Sequence, residues 1–394
     1  SFAYDAANQQ RRMTNALAYS TTHLYDAAGQ TVATINPLLF RTSVLYDGAG
    51  RQIAIWDANN NRITTIYDVA GRNVASLNAL NIRVTTVFDR VSKRTALIDG
   101  IGNRTSFAYD NNRRPVLVLD ALLRRTTFGY DAAAQQTLRM DGRGLRTTYF
   151  YDAEGKVIGW KYQDQTRATQ LYDAAGQRTN VQDWTGRFTY SVDAIGRTLL
   201  AVDSFSNRIT YGYNVVGQRV KMREPDGGRF TYWYNGLGQI DRLLNPFGEN
   251  TTFTYDAVGR RTLQKLANRV RASYSYDAAN RLTTLANVRA DSTYVSRYEY
   301  AYDNTINKTL AIEADQTRVT WSYDKTYQLT RETRSGASAY DMTYTYDAAQ
   351  NRRVMFDSGA RTTYTCDASN QLNWFQDNTG RTTFIFDNNG NQLV

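Results

Sequence analysis

The chain has 394 residues, a formal net charge of +10 and 42% hydrophobic residues. Its single cysteine, Cys366, cannot form an internal disulfide, and its single histidine, His23, excludes histidine-based triads and histidine metal sites. Nothing in the sequence approaches the run of about 18 apolar residues that spans a membrane as a helix.

A tyrosine–aspartate pair recurs from one end of the sequence to the other. Its aromatic position advances by 21 residues per step from Tyr4 to Tyr172, slips by one at Val192 and resumes through Tyr276. A unit this short cannot bury a core alone and must stack on its neighbours, so the pattern predicts a repeat architecture. The last of the 19 copies are less evenly spaced and lie at Tyr302, Tyr323, Tyr346, Cys366 and Phe386.

We therefore expect one repeat array over residues 1–394, strictly periodic over 1–276 and less regular over 277–394. Both ends of the sequence fall inside a repeat, and residues 391–394 begin a further strand. We interpret the sequence as a window from a longer protein.

Each unit reads as turn, strand, turn, strand. In one copy a first turn over Asp152–Gly155 and a second turn over Gln163–Thr166 each precede a strand rich in β-branched and aromatic residues. Aspartate followed three residues later by glycine predicts a type I turn closed by a residue with positive φ. The aspartate carboxylate is expected to accept hydrogen bonds from the turn backbone.

The fold class expected is all-β. Two strands per unit give about 38 strands, and open twisted sheets rarely exceed about ten strands without curling. We predict a continuous antiparallel ribbon of β-hairpins that coils into a hollow tube or shell. The structural repeat positions singled out are Tyr25, Asp26, Gly29, Tyr46, Asp47, Gly50, Tyr67, Asp68, Gly71, Tyr151, Asp152, Gly155, Tyr172, Asp173, Gly176, Tyr255, Asp256 and Gly259.

The basic residues are spread one or two to a repeat, many of them directly after the turn glycine, as at Arg51, Arg72, Arg197 and Arg260. A phosphate-binding surface would need a local basic cluster. The dispersed pattern instead predicts that each arginine pairs with a turn aspartate or lies along a tyrosine ring. We expect no nucleic-acid partner.

The sequence offers no catalytic, cofactor or metal site. The aspartate turns lack calcium-loop patterns, and His23 sits in a strand, where a packing role is expected. Six tryptophans have the chemistry to stack on sugars, but their positions within strands favour packing inside the coil. They are Trp56, Trp160, Trp184, Trp233, Trp321 and Trp374.

The repeat resembles the YD repeat of the RHS family. The clearest copies are residues 46–51, Tyr-Asp-Gly-Ala-Gly-Arg, and residues 255–260, Tyr-Asp-Ala-Val-Gly-Arg. The resemblance covers the whole chain. It implies large secreted or surface proteins whose repeats coil into a hollow shell, which in bacterial toxin complexes encloses a toxic domain. In animal teneurins, similar repeats form an extracellular barrel used in adhesion. Carbohydrate binding has also been proposed for such repeats.

One departure from the family bears on function. Toxin-releasing members carry a core segment with Asp-Pro-x-Gly motifs beside a self-cleavage site, whereas the four prolines here follow Asn36, Arg114, Glu224 and Asn245. Toxin release therefore cannot be assigned to these residues.

The leading prediction is a non-enzymatic scaffold, a segment of an extracellular tube, fibre or surface shell. The alternatives are the encapsulating cocoon of an RHS-type toxin-delivery protein and a glycan-binding adhesion module. The expected partners are neighbouring repeats of the same chain, with self-assembly into filaments and glycans as further hypotheses. The expected location is extracellular or at the cell surface.

Overall fold

The computed structural model describes residues 1–393, and Val394, predicted to belong to a further strand, lies outside them. One antiparallel sheet of 37 strands contains every named element of the described chain, and each strand pairs with the next in sequence. Residues 1–393 contain no helix. The all-β hairpin ribbon predicted from the repeat is confirmed.

The first half of the sheet comprises β1 (Phe2–Tyr4), β2 (Gln10–Thr14), β3 (Ser20–Tyr25), β4 (Thr31–Ile35), β5 (Arg41–Tyr46), β6 (Gln52–Trp56), β7 (Arg62–Tyr67), β8 (Asn73–Leu77), β9 (Arg83–Phe88), β10 (Arg94–Ile98), β11 (Arg104–Tyr109), β12 (Pro115–Leu119), β13 (Arg125–Tyr130), β14 (Gln136–Met140), β15 (Arg146–Tyr151), β16 (Val157–Tyr162), β17 (Arg167–Tyr172), β18 (Arg178–Asp183) and β19 (Gly186–Val192).

The second half comprises β20 (Thr198–Val202), β21 (Arg208–Tyr213), β22 (Arg219–Arg223), β23 (Arg229–Tyr234), β24 (Ile240–Leu244), β25 (Asn250–Tyr255), β26 (Arg261–Lys265), β27 (Arg271–Tyr276), β28 (Leu282–Val288), β29 (Tyr294–Tyr302), β30 (Lys308–Glu313), β31 (Arg318–Tyr323), β32 (Leu329–Arg334), β33 (Tyr340–Tyr346), β34 (Arg352–Asp357), β35 (Ala360–Cys366), β36 (Leu372–Gln376) and β37 (Arg381–Thr383).

The first turn of each repeat has the geometry that its residues favour. Gly29 has a φ of +80°, and its amide donates to the Asp26 carbonyl over 3.1 Å. One oxygen of the Asp26 carboxylate accepts the backbone amides of Ala28 and Gln30, each over 2.9 Å. The side chain thus satisfies two amides that the tight turn leaves unpaired.

A β-bulge follows the first turn and bends the ribbon. Between β3 and β4 the pairing shifts by one residue at Leu24 and Tyr25, and the same shift recurs at the repeat aromatic of later copies. Bulges bend a strand and increase its twist. A bulge repeated every 21 residues therefore bends the sheet in the same sense each time.

The lengths of the hairpins explain the uneven spacing of the repeat. The three steps of 20 residues contain a shortened second turn, in which Asp183 pairs with Gly186, Asp357 pairs with Ala360, or Asp377 bonds Gly380. The longest step, from Tyr276 to Tyr302, contains the long strands β28 and β29. These irregularities are therefore changes in hairpin length, with the antiparallel pairing unbroken.

The sheet is a single layer without a conventional core. In residues 1–393 no large side chain is fully buried, and the most buried apolar residues are alanines at equivalent positions of successive repeats. Ala33, Ala54, Ala75 and Ala96 lie beneath their larger strand neighbours at 0–1% exposure. Backbone ladders and contacts between adjacent repeats must therefore supply most of the stability.

Candidate functional site: the repeat joint and the seam

Adjacent repeats are joined by an arginine that makes several interactions at once. Arg260 Nε donates to the Asp256 carboxylate over 2.6 Å within its own turn, and Arg260 Nη1 donates to the Asp277 carbonyl of the next repeat over 3.0 Å. The same guanidinium lies over the ring of Tyr276, 4.7 Å from its centre. We call this arrangement of aspartate, arginine and the next tyrosine the repeat joint.

The repeat joint recurs wherever arginine follows the turn residue. Its aspartate–arginine pairs are Asp47–Arg51, Asp68–Arg72, Asp110–Arg114, Asp193–Arg197, Asp256–Arg260 and Asp277–Arg281. In each, the guanidinium also lies over the aromatic ring of the next repeat. The sequence-based expectation offered two alternatives for these arginines, and the structure combines both.

The joint holds its carboxylates in the ionised form. The hydrogen bond from the Arg51 guanidinium, aided by the Arg51 backbone amide, lowers the pKa of Asp47 below its usual range. Asp256 has a lowered pKa as well, because hydrogen bonds from Arg260 outweigh the effect of burial. Ionised carboxylates at these two joints keep the pairing intact at neutral pH.

Copies with glutamine in place of this arginine keep a smaller version of the joint. Gln239 Nε2 donates to the Gly259 carbonyl over 3.0 Å, and Gln371 Nε2 donates to the Gly390 carbonyl over 3.2 Å. Lys93 and Lys156 keep the cation over the next tyrosine, at 5.4 and 5.7 Å from the ring centre. In these four copies the side chain at this position reaches toward the following repeat.

The hydroxyl of the repeat tyrosine also bonds one repeat to the other, by a hydrogen bond to a backbone carbonyl. Tyr255 donates to the Ile240 carbonyl over 2.7 Å, 15 residues earlier in the chain. Equivalent bonds over 15 residues start from Tyr25, Tyr46, Tyr67, Tyr109, Tyr130, Tyr151, Tyr172, Tyr213, Tyr234, Tyr276 and Tyr323. Tyrosine is thus used for its hydroxyl as well as for its ring.

A second set of contacts joins repeats that are far apart in sequence. Second turns of early repeats touch first turns of late repeats, and we call this line of contacts the seam. Asn59 Nδ2 donates to the Asp303 carboxylate over 2.9 Å, and Asn304 Nδ2 donates to the Ala58 carbonyl over 3.3 Å. The Tyr327 hydroxyl donates to the carboxylate of Asp57.

The seam continues through the next second turns in order. Arg124 Nη1 donates to Gln371 Oε1 over 2.6 Å, and Ser369 Oγ donates to the Asp120 carboxylate over 3.1 Å. Arg143 forms an ion pair with Asp387 at 3.2 Å while it also binds Asp141. Asp141 is only 4% exposed, so this end of the seam contains a buried and paired charge.

Small residues let the two turns approach closely. A Cβ added to Gly142 would lie 1.9 Å from the Asn388 carbonyl oxygen, and one added to Gly100 would lie 2.1 Å from the Ala348 carbonyl oxygen. Both distances are far below van der Waals contact. At these two positions the seam requires glycine for space.

The seam shows how many repeats make one turn of the coil. The contacting residues are 244 residues apart at Asn59–Asp303 and Arg143–Asp387 and 247 apart at Arg124–Gln371. Where a second turn also reaches the following first turn, as at Asp57–Tyr327, they are 270 apart. At 21 residues per repeat, a separation of 246 residues corresponds to about twelve repeats. The predicted coiling is confirmed, and the number of repeats per turn, which the sequence did not reveal, follows from these contacts.

The predicted site residues fall into two groups. The tyrosines, aspartates and glycines singled out from the repeat lie at the first turns and the repeat joints. The seam residues, among them Asn59, Arg124 and Tyr327, were not singled out, because no local motif marks them. His23 lies in β3, where its Nδ1 is 3.2 Å from Thr34 Oγ1 on the neighbouring strand.

Trp184 lies in a turn, and its predicted position within a strand is wrong. Trp184 stands at the tip of the shortened turn between β18 and β19 and is 66% exposed. The other five tryptophans lie within strands and are partly buried. The expectation fails at Trp184 because the shortened turn removes this residue from the strand.

Other functional features are sparse in the part of the chain that the structure describes. No group of three or more His, Cys, Asp or Glu side chains is arranged to hold a metal ion there. No helix within residues 1–393 is long and apolar enough to cross a membrane.

Known proteins share part of this sequence pattern and the fold of the whole chain. Residues 206–333 match the family model for the teneurin YD-shell. A crystal structure of TcdB2-TccC3 without its hypervariable C-terminal region superposes on 99% of this chain with a TM-score of 0.83 at 15% identity. The TcdB2-TccC3-TEV structure superposes on 96% of this chain with a TM-score of 0.82 at 16% identity.

A third match is the Tc holotoxin pore of Photorhabdus luminescens, with a TM-score of 0.76 over 98% of this chain at 16% identity. The chain covers 26%, 24% and 24% of these three structures' chains in the order given, or about a quarter of their length. No curated protein sequence matches it.

The single-layered coil, the repeat joint and the seam define a β-shell. More specifically, residues 206–333 are similar to the teneurin YD-shell and the whole chain shares the fold of TcdB2-TccC3, in agreement with the resemblance of its repeat.

Proposed function

We propose that this chain is a non-enzymatic structural wall: a segment of a large secreted protein whose repeats enclose a hollow compartment. The observation that carries the proposal is the seam. A one-layered ribbon encloses nothing unless successive turns of its coil are joined, and the Asn59, Arg124 and Arg143 contacts join them along one line.

The dimensions of the coil support a hollow interior. Twelve repeats contribute about 24 strands, and at about 4.8 Å per strand the circumference is about 115 Å and the backbone diameter about 37 Å. Allowing about 5 Å for side chains on the inner face leaves a lumen about 27 Å across. That width admits an extended or partly folded polypeptide.

The chemistry of the repeat supports a scaffold over an enzyme. The joint aspartates bind their own turn backbone and an arginine, and the joint tyrosines donate to carbonyls. Because these side chains are occupied by hydrogen bonds and ion pairs, their role is to hold one repeat to the next.

The extracellular tube, fibre or shell segment remains the leading form of this wall. Seam contacts are separated by 244 to 271 residues, a spread of about one repeat, and this supports it, because a repeated step generates a coil of similar radius along its length. The second candidate is an encapsulating cocoon, which the fold shared with TcdB2-TccC3 favours. For glycan adhesion, Trp184 is the one tryptophan of the described residues that is largely exposed.

Cryo-electron microscopy of the natural, full-length polypeptide tests the proposal. A one-layered coil with about twelve repeats per turn and a continuous lumen is the expected result. Long filaments of constant diameter would favour the tube, and closed particles with internal density would favour the cocoon. An open ribbon with unjoined turns would overturn the wall function itself.

A further inference from the structure

First turns of late repeats interdigitate with second turns of early repeats along the seam. The first turn at 367–371 contacts the second turn at 99–103 through Asn370 and the second turn at 120–124 through Ser369. All of these turns are built alike, so a displacement of the seam by one repeat would again place first turns between second turns. The register of the seam therefore has to be selected by particular side chains.

The curvature of the coil does not select this register by itself. A coil of twelve repeats turns by about 30° per repeat, and a coil of thirteen turns by about 28°. This difference is small beside the ordinary spread of the angles between neighbouring strands. Contacts across the seam must therefore decide which turns meet.

Tyr327 occupies a backbone position that disfavours a large side chain. Its φ is +67°, at the place where Gly29, Gly50 and Gly71 close their own first turns. Among residues 1–393 it is the one aromatic residue with a positive φ. A bulky residue in this conformation is a strained outlier, and such strain persists only where surrounding contacts maintain it.

The Tyr327 hydroxyl makes contacts that can maintain this conformation, and they come from one second turn. It donates to the Asp57 carboxylate, and it accepts from Asn59 Nδ2 over 3.3 Å and from Asn61 Nδ2 over 2.9 Å. A phenolic hydroxyl has one proton and two lone pairs, so its hydrogen-bonding capacity is filled. Burial and the bond to Asp57 raise the pKa of Tyr327, which keeps the hydroxyl protonated at neutral pH.

Only the second turn at 57–61 offers this set of partners. It has aspartate at its first position and asparagine at its third and fifth, and no other second turn in the sequence has that combination. The second turns on either side, at 36–40 and 78–82, have apolar residues at their third and fifth positions. A coil displaced by one repeat would therefore leave Tyr327 strained and without these partners.

Asn59 connects the same second turn to the preceding first turn. Its Nδ2 also donates to the Asp303 carboxylate over 2.9 Å, and its Oδ1 accepts the Asn304 backbone amide over 3.2 Å. The turn at 57–61 is thus held by two consecutive first turns, and both contacts depend on its asparagines.

We propose that Tyr327 and the turn at 57–61 set the register of the coil, and we call them the register contact. They determine which turns meet at the seam and hence how many repeats make one turn. One more repeat per turn would add two strands, or about 10 Å, to the circumference. The proposal rests on the wall function proposed above and deepens it, because the register sets the width of the compartment.

Photo-cross-linking from another part of the seam measures the register. A photoreactive residue in place of Ala368, beside a cavity of about 350 Å³, lies between the turns at 99–103 and 120–124 in the natural, full-length polypeptide. Displacement by one repeat would bring it to the turn at 78–82 or at 141–145. Mass spectrometry of the cross-linked peptides then gives the displaced fraction.

Tyr327→Phe keeps the ring and removes the hydroxyl, and it should increase the displaced fraction at least tenfold. Tyr323→Phe is the matched control. It removes a hydroxyl of the same repeat that bonds the Lys308 carbonyl, so it should lower the stability of the fold and leave the register unchanged.

Tyr327→Gly separates the hydroxyl from the backbone strain. Glycine adopts a positive φ freely, so this variant loses the hydroxyl and the strain together. It should displace the register as Tyr327→Phe does. An increase with Tyr327→Phe that Tyr327→Gly does not share would mean that strain in the turn is the cause, and the proposal would be wrong.

Two further results overturn the proposal and leave the wall function standing. One is a Tyr327→Phe polypeptide whose cross-links stay at 99–103 and 120–124, as in the unmodified polypeptide. The other is equal displacement by Tyr323→Phe, because general destabilisation would then be sufficient. If the unmodified polypeptide cross-links to no second turn, the seam is missing and the wall function fails together with the register contact.

Discussion

The guanidinium carbon of Arg260 lies 4.7 Å from the centre of the Tyr276 ring, one repeat farther along the chain. Arg260 is also bound to its own turn aspartate, and both charged side chains are about 15% exposed. One side chain thus fixes the position of one repeat relative to the next.

Replacing this arginine should weaken the joint measurably. Arg260→Ala removes three charged hydrogen bonds and the ring contact, so we expect the free energy of unfolding to fall by about 2 kcal/mol. Gln239→Ala at the equivalent position of the previous repeat removes two neutral hydrogen bonds and should cost about 1 kcal/mol. Urea unfolding followed by tyrosine fluorescence measures both, and equal losses would contradict the role given to the charge.

The contribution of the tyrosine hydroxyl can be tested by removing it from one repeat and adding it to another. Tyr255→Phe removes the bond to the Ile240 carbonyl and should destabilise the chain by about 1 kcal/mol. Phe88 occupies the same repeat position without a hydroxyl, so Phe88→Tyr should slow amide exchange in β8 and β9. No change in exchange after Phe88→Tyr would show that the bond depends on neighbours other than the aromatic.

The turn at Gly50 contains its own control. Gly50 has a φ of +76°, whereas Gly48 lies outside the positive-φ region with nothing near its Cβ position. Gly50→Ala should therefore destabilise the hairpin of β5 and β6 by about 1 kcal/mol, and Gly48→Ala should not. Thermal unfolding of the two variants is the measurement, and equal melting temperatures would contradict the assigned strain.

The seam should open without unfolding the hairpins. Gly142→Ala forces a Cβ against the Asn388 carbonyl, so turns 141–145 and 387–391 should separate. Hydrogen exchange should rise in the 387–391 turn while β14 and β15 keep their protection, and Gly48→Ala should show neither effect. Loss of protection in β14 itself would mean that the glycine serves the hairpin and not the seam.

Acid should open the same contact. The hydrogen bond from the Asn391 side chain lowers the pKa of Asp387 to about 2. A carboxylate with a lowered folded-state pKa stabilises the fold above its unfolded pKa of about 3.9, and this contribution is lost as the pH falls through the folded value. We expect small-angle scattering to show coil opening between about pH 4 and pH 2, before the β-sheet circular dichroism is lost.

Asp387→Asn is the control for the acid effect. It removes the titrating group, so opening should become less dependent on pH while the seam is weaker at neutral pH. Simultaneous loss of sheet signal and compactness in the unmodified chain would show that acid unfolds the hairpins first.

Features that depend on residues within one repeat could be predicted from the sequence. The turn at Asp26, the left-handed Gly29 and the pairing of Arg51 with Asp47 all involve positions at most four residues apart. The residue types at those positions carry the physical cause of each feature, which made the hairpin ribbon predictable as well.

The seam could not be predicted in the same way. It brings Asn59 beside Asp303 only because a small rotation per repeat accumulates over about twelve repeats, and no local pattern encodes that sum. A small error in each step would place a different turn beside Asn59. The exposure of Trp184 was missed for a local reason, because the shortened turn at Asp183–Gly186 was not recognised.

The distance along the chain between seam partners has a consequence for biosynthesis. Each hairpin can form its contacts once one repeat has been synthesised. The seam contact of Ala58 forms only after Asn304, 246 residues later, has been synthesised. At about 5 to 20 residues per second, a ribosome needs about 12 to 50 s to supply that partner. For that time the nascent ribbon has one unpaired edge, and the inside of the coil stays open to the side until the partner turn is made.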